Sequence, residues 1–158
     1  MRTRKFWGWG YEDELLTVEE ENNIDKRIAK TFELDSVERI EIPKIENVNL
    51  PDSSLKCPNS LKAIVSNDKL ERLNHSYGKS FPDSARSILG QFPAPPDFVA
   101  FPNSEEDITN ILDWASSNDI AVIPKWWGSS VCGGEETNVG EEKNGDIIPK
   151  KIKKNGEE

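Results

Sequence analysis

Metal-ligating and disulfide-forming side chains are scarce in this sequence. It holds one histidine and two cysteines in 158 residues. His75, with no close cysteine pair, gives no ligand set for structural zinc, so no metal site is expected. Cys57 and Cys132 are too few for a disulfide framework and read as free thiols in a reducing compartment. Long apolar runs are absent too: no stretch approaches the ~20 apolar residues of a membrane span. The basic residues at Arg2, Arg4 and Lys5 are not followed by the apolar run of a signal peptide. The last residues, Asn155 to Glu158, are not a peroxisomal address. The expected location is therefore the cytoplasm. Positive charge is in deficit, 20 Lys and Arg against 29 Asp and Glu, for a net charge of −9. Phosphate backbones need a basic surface, so no nucleic-acid partner is expected. Hydrophobic residues make up 35% and charged residues 31%, which allows a modest core in one domain or in a large piece of one.

What the sequence does have is concentrated between Phe98 and Gly134. Phe98 to Phe101 is a short apolar run ended by Pro102, which cannot donate to a strand ladder. Ser104 caps a helix, and Asp107 three residues later completes a capping box. Ile108, Ile111, Leu112 and Ala115 recur at helical spacing, and Asn118 is the stop. A second apolar run covers Ile120 to Ile123. Two strands joined by a helical crossover of this length are predicted to be parallel, with a right-handed connection. The turn that follows, dense in glycine and serine, is where such a unit usually meets a ligand.

Upstream, the spacing of Ile24, Ile28 and Phe32 predicts a helix over 12–32, acidic in its first half and basic in its last. Arg39 to Ile42 alternates and stops at Pro43, which predicts a short edge strand. Residues 44–59 read as mainly irregular. Short helices are expected at 61–65, 70–75 and 85–89. Phe92 to Pro96 reads as an extended connector. His75 has two readings, a catalytic or cofactor-contacting base and a structural histidine. Lys79 and Arg86 either meet phosphates or are salt-bridged surface cations. From Glu135 onward Glu, Lys, Asn and Gly dominate, and disorder is expected.

Four stretches, in order, carry a resemblance to a known family. They are Lys5 to Tyr11 (KFWGWGY), Asn74 to Asp83 (NHSYGKSFPD), Ala94 to Pro102 (APPDFVAFP) and Pro124 to Gly134 (PKWWGSSVCGG). The last resembles the loop P-x-G-G-G-S/T-S-V-x-G-G of the flavin-binding domain in the vanillyl-alcohol-oxidase/PCMH-type family of FAD-linked oxidases. The other three resemble its alkyldihydroxyacetone-phosphate synthase-like branch. The match runs from Arg4 to about Glu135.

The resemblance implies an α+β fold: a partial PCMH-type FAD-binding subdomain, built of the βαβ unit plus the glycine/serine loop, preceded by a mostly helical N-terminal region. It implies a division into residues 1–92, the helical region with its aromatic tail; 93–136, the first part of the FAD-binding domain; and 137–158, a charged tail. It implies FAD as cofactor, held by Pro124, Lys125, Trp126, Trp127, Gly128, Ser129, Ser130, Val131, Gly133 and Gly134. Backbone amides near Gly128, Ser129 and Ser130 would meet the pyrophosphate. Family members are several-fold longer and carry their catalytic residues downstream, so no catalytic residue is assigned here. Where the family has three glycines, this chain has Trp126, Trp127 and Gly128. An indole fills space at a phosphate, and a positive φ is costly for it. Two further readings therefore stand beside a FAD-binding portion of an oxidoreductase. One is a truncated, catalytically inactive remnant, unstable or in need of a second chain to complete it. The other is an interaction module that uses Trp7, Trp9, Trp126 and Trp127 as anchors.

Overall fold

The computed structural model describes residues 2–125, 130–132 and 146–149. Within them the chain is a small α+β fold. The helices are α1 (Val18–Phe32), α2 (Lys69–Ser76), α3 (Phe81–Ile88) and α4 (Glu105–Ser117). The strands are β1 (Val65–Ser66), β2 (Phe98–Ala100), β3 (Ala121–Val122) and β4 (Asp146–Pro149).

The sheet has the order β1-β2-β4-β3. β1 runs antiparallel to β2, while β2 and β3 each run parallel to β4. The crossover through α4 thus joins two strands of the same sense, as expected, but β4 lies between them. Phe98 is in register with Ile147, and Val122 with the same residue from the other side. Residues 146–149 fall inside the segment expected to be disordered. The backbone groups of β2 and β3 that face each other across one strand's width need partners, and Ile147-Ile148 is the β-branched pair in that charged segment best suited to a strand.

α4 forms where its local signals place it. Ser104 Oγ accepts from the Asp107 amide at 3.1 Å, and the Asp107 carboxylate accepts from the Ser104 amide at 3.1 Å. Asn118 is the C-cap. The buried face of α4, Ile111 and Ala115, meets Phe98 and Ala100 of β2 together with Leu61 and Ile120. Val99, directed to the opposite face by strand alternation, is fully buried as well, so β2 is covered on both sides. A second cluster joins Phe6, Val48, Leu73, Tyr77 and Phe92 and carries the N-terminal aromatics into the core.

Three expectations for the N-terminal region are corrected. α1 begins at Val18 rather than at residue 12, because Thr17 and Glu20 form a reciprocal capping box there. Arg39 to Ile42 is not a strand: no described strand lies beside it, and Arg39 is drawn to α1, donating to Glu21 at 2.5 Å and to Asp25 at 2.6 Å. Residues 61–64 form a turn, not a helix, and lead into β1. The region is also less helical than expected. Between α1 and α2 only Ile45–Asn47 forms a single 3-10 turn, since Pro43, Pro51 and Pro58 interrupt the backbone hydrogen bonding.

Candidate functional site

The loop after β3 is described at Pro124, Lys125, Ser130, Val131 and Cys132. The other expected site residues, Trp126, Trp127, Gly128, Ser129, Gly133 and Gly134, lie outside the described residues. Pro124 and Val131 are exposed, and Ser130 is half-buried.

Lys125 is buried, and its ammonium donates to the carbonyls of Asn74 at 3.1 Å and Tyr77 at 2.8 Å. Both carbonyls sit at the C-terminal end of α2, where the last turn leaves acceptors without helical partners and the helix dipole favours a cation. The ammonium is thus directed into the protein, where it fastens the loop to α2. It was expected among the cofactor contacts; the geometry gives it an anchoring contact.

The second fastening is at the junction of α2 and α3. The Lys79 amide donates to the Ser130 carbonyl at 2.6 Å. Gly78 lies against the same carbonyl, and a Cβ there would collide with it and come within 3.2 Å of the Asp83 carboxylate. Only glycine leaves room for the loop to come this close. Ser80 and Asp83 then open α3 with a capping box. Asp83 is 1% exposed, and its carboxylate accepts from Arg86 at 2.8 Å and from the Ser80 amide at 3.1 Å. The Arg86 guanidinium lies 4.4 Å from the centre of the Tyr77 ring, which stacks on Phe92 at 5.4 Å. Phe92 in turn meets Phe6 at 6.2 Å, and the Lys79 ammonium donates to the Lys5 carbonyl at 3.3 Å. Three of the four sequence stretches singled out above, KFWGWGY, NHSYGKSFPD and the glycine/serine loop, therefore meet in one platform.

His75 takes the structural reading. It is buried, its Nδ1 donates to the Glu71 carbonyl one helical turn back at 2.7 Å, and its ring meets Phe101 edge-on at 6.1 Å. Arg86 is ion-paired with Asp83, in keeping with the salt-bridged reading of that cation. The anchoring roles of Gly78 and Ser130 are not readable from spacing. The one local signal is a glycine set between two helices, directly after an aromatic C-cap.

Lys125 and Ser130 are thus the described loop residues held to the end of α2 and to the α2–α3 junction, and the Ser130 side chain carries a hydroxyl. That hydroxyl lies 3.5 Å from the Cys132 thiol. Cys57, by contrast, is partly buried, and burial pushes its thiol pKa upward. Among the described residues no cluster of three or more His, Cys, Asp or Glu side chains is arranged for a metal. None of the described helices is long and apolar enough to cross a membrane.

No protein-family model matches the chain. Curated relatives do. The alkyldihydroxyacetonephosphate synthase of Dictyostelium discoideum is 31% identical over 112 residues, covering 68% of this chain and 18% of the relative. That of Trypanosoma brucei brucei is 33% identical over 96 residues, covering 56% of this chain and 16% of the relative. That of Caenorhabditis elegans is 34% identical over 76 residues, covering 48% and 13%. The chain thus spans less than a fifth of the length of these relatives. Two solved alkyldihydroxyacetonephosphate synthase structures share the fold over 92% of this chain, with TM-scores of 0.70 and 0.72 at 22% and 24% identity; it covers 32% and 30% of theirs. By sequence and by fold, the chain belongs to the alkyldihydroxyacetonephosphate synthase-like branch of the FAD-linked oxidases, and it corresponds to part of such a protein.

Proposed function

We propose that this chain is a FAD-binding portion of a FAD-dependent oxidoreductase, and that residues 93–136 begin a PCMH-type flavin subdomain. The observation that carries the reading is the double fastening of the loop after β3. Lys125 ties one side to the end of α2, and the Ser130 carbonyl ties the other to the Lys79 amide. Such clamping fixes Lys125 and Ser130, which flank the glycine/serine stretch whose backbone amides would meet the pyrophosphate on this reading. When bound, FAD supplies the redox chemistry. On this reading the chain's own residues position the cofactor, and the substrate is met by other parts of the protein.

The two tryptophans favour a second reading. Trp126 and Trp127 stand where the family's loop has glycines, and a chain that has lost its cradle would be an inactive remnant or would need a second chain to complete it.

The two readings separate in a titration of the purified, folded chain with FAD, followed by quenching of flavin fluorescence, with FMN as control. Saturable binding that prefers FAD is the expected result. Absence of binding by a chain whose circular dichroism shows it folded overturns the first reading and leaves the second.

A further inference from the structure

We propose that a cavity beside the N-terminal half of α2 binds a small zwitterion of the amino-acid type, with its carboxylate on Arg72 and its ammonium toward Asp52 and Glu46. Arg72 is only 7% exposed, and carbonyls hold one edge of its guanidinium. Nε donates to the Pro96 carbonyl at 2.7 Å and Nη2 to the Pro51 carbonyl at 2.8 Å. Nη1 has no partner among the described residues, yet it is not sealed inside the protein. A guanidinium taken this far from water is ordinarily matched by a carboxylate, as Arg86 is by Asp83. Arg72 has no ion pair among the described residues. Its two carbonyls satisfy hydrogen bonds but bring no compensating charge.

The space that Arg72 lines is of ligand size, about 410 Å³, within the range of small-molecule sites. Lys69, three residues earlier on the same face of α2, lines it too, and its Nζ reaches the Glu46 carbonyl at 3.3 Å. Two cations on one wall favour an anion. The planar fork left by Nη1 and the second N–H of Nη2 suits a carboxylate.

The opposite charge is present as well. Glu46 and Asp52 line the same cavity, and neither carboxylate is ion-paired among the described residues. A dianion such as phosphate would be repelled by them, whereas a ligand with one carboxylate and one ammonium meets both signs. Val48 and Leu50 add aliphatic surface between the charges. The loop after β3 is fastened at the far end of α2, to Asn74 and Tyr77, so this site is separate from the proposed cofactor loop.

NMR titration of the full chain tests the proposal, with L-leucine as probe and the Arg72 side chain and the amides of residues 46–52 as reporters. Saturable shifts at these reporters are expected. 4-Methylpentanoate, which lacks only the ammonium, should bind more weakly, and 3-methylbutylamine, which lacks only the carboxylate, should not bind. Arg72→Lys should raise the Kd for leucine by about tenfold or more. Should that variant fail to fold, Asp52→Asn, at an exposed position, should still raise the Kd for leucine by about twofold to fivefold and leave that for 4-methylpentanoate unchanged. No saturable shift with leucine overturns the proposal, and so does amine binding equal to that of leucine. Equal affinity for leucine and 4-methylpentanoate overturns the zwitterion.

Discussion

The amide of Lys79 donates to the carbonyl of Ser130 at 2.6 Å, and through this bond the junction of α2 and α3 holds the loop that follows β3. Gly78, immediately before, is the residue that permits the approach. Gly78→Ala should therefore force the loop off its base. The cost expected of an intruding methyl in a closed contact is about 1–3 kcal/mol. The variant should show a lower urea midpoint and faster hydrogen exchange at the Lys79 amide. Unchanged exchange there would show that the loop does not depend on this seat.

Lys125 is the other fastening. Lys125→Met keeps the length and apolar stem of the side chain but removes the donor from the Asn74 and Tyr77 carbonyls. Buried acceptors left without a donor cost about 1–3 kcal/mol, so the variant should unfold at lower urea. On the proposed function its FAD affinity should also fall, because the cradle loses one support. An unaltered urea midpoint would remove Lys125 from the platform.

The tryptophans give a prediction with a gain. Trp126→Gly combined with Trp127→Gly restores the residue type of the family's loop and should raise FAD affinity in the fluorescence titration. If the double variant binds no better than the parent, the missing affinity resides in parts of the protein beyond this chain.

A pH dependence is expected at the N-terminal hairpin, where Arg4 and Tyr11 pair. Arg2 donates to Asp13 at 2.7 Å and to Glu14 at 2.9 Å. The hydrogen bond from Arg2 holds the Asp13 carboxyl below its ordinary range; Glu14 is held down first by the Tyr11 amide and then by Arg2. Both folded pKa values are depressed, so the stabilisation is present above the ordinary carboxylate value of about 4 and is lost as pH falls through the folded values. Carboxyl chemical shifts should report both groups titrating below the usual range. Arg2→Gln should return Asp13 to it, while Glu14 keeps the part supplied by Tyr11. Equal titration in parent and variant would dissolve the pairing.

Much of this was readable in the sequence where the signal is local. Ser104, Asp107 and Asn118 specify α4 within a few residues, and α4 forms between them. The family motifs pointed to the branch that the relatives bear out. Sequence reading failed where the deciding partner is remote. Arg39 to Ile42 has a strand's alternation but meets no described strand, because Arg39 is engaged by acids on α1. Ile147-Ile148 is too short an apolar run to stand out among lysines and glutamates, and only the space between β2 and β3 gives it a role. Lys125 reads in the sequence as one more residue of the glycine/serine loop; its burial depends on carbonyls at the end of a helix far back in the chain.

The place of β4 bears on biosynthesis. β2 and β3 leave the ribosome well before residues 146–149, and neither is the other's partner in the sheet. Until the late strand arrives, β1 and β2 form a minimal ribbon and β3 has no ladder among the described strands, so the nascent chain carries unsatisfied edges. Chaperone demand should peak in that interval, and a message truncated before codon 146 should yield an aggregating product rather than a smaller version of the same protein.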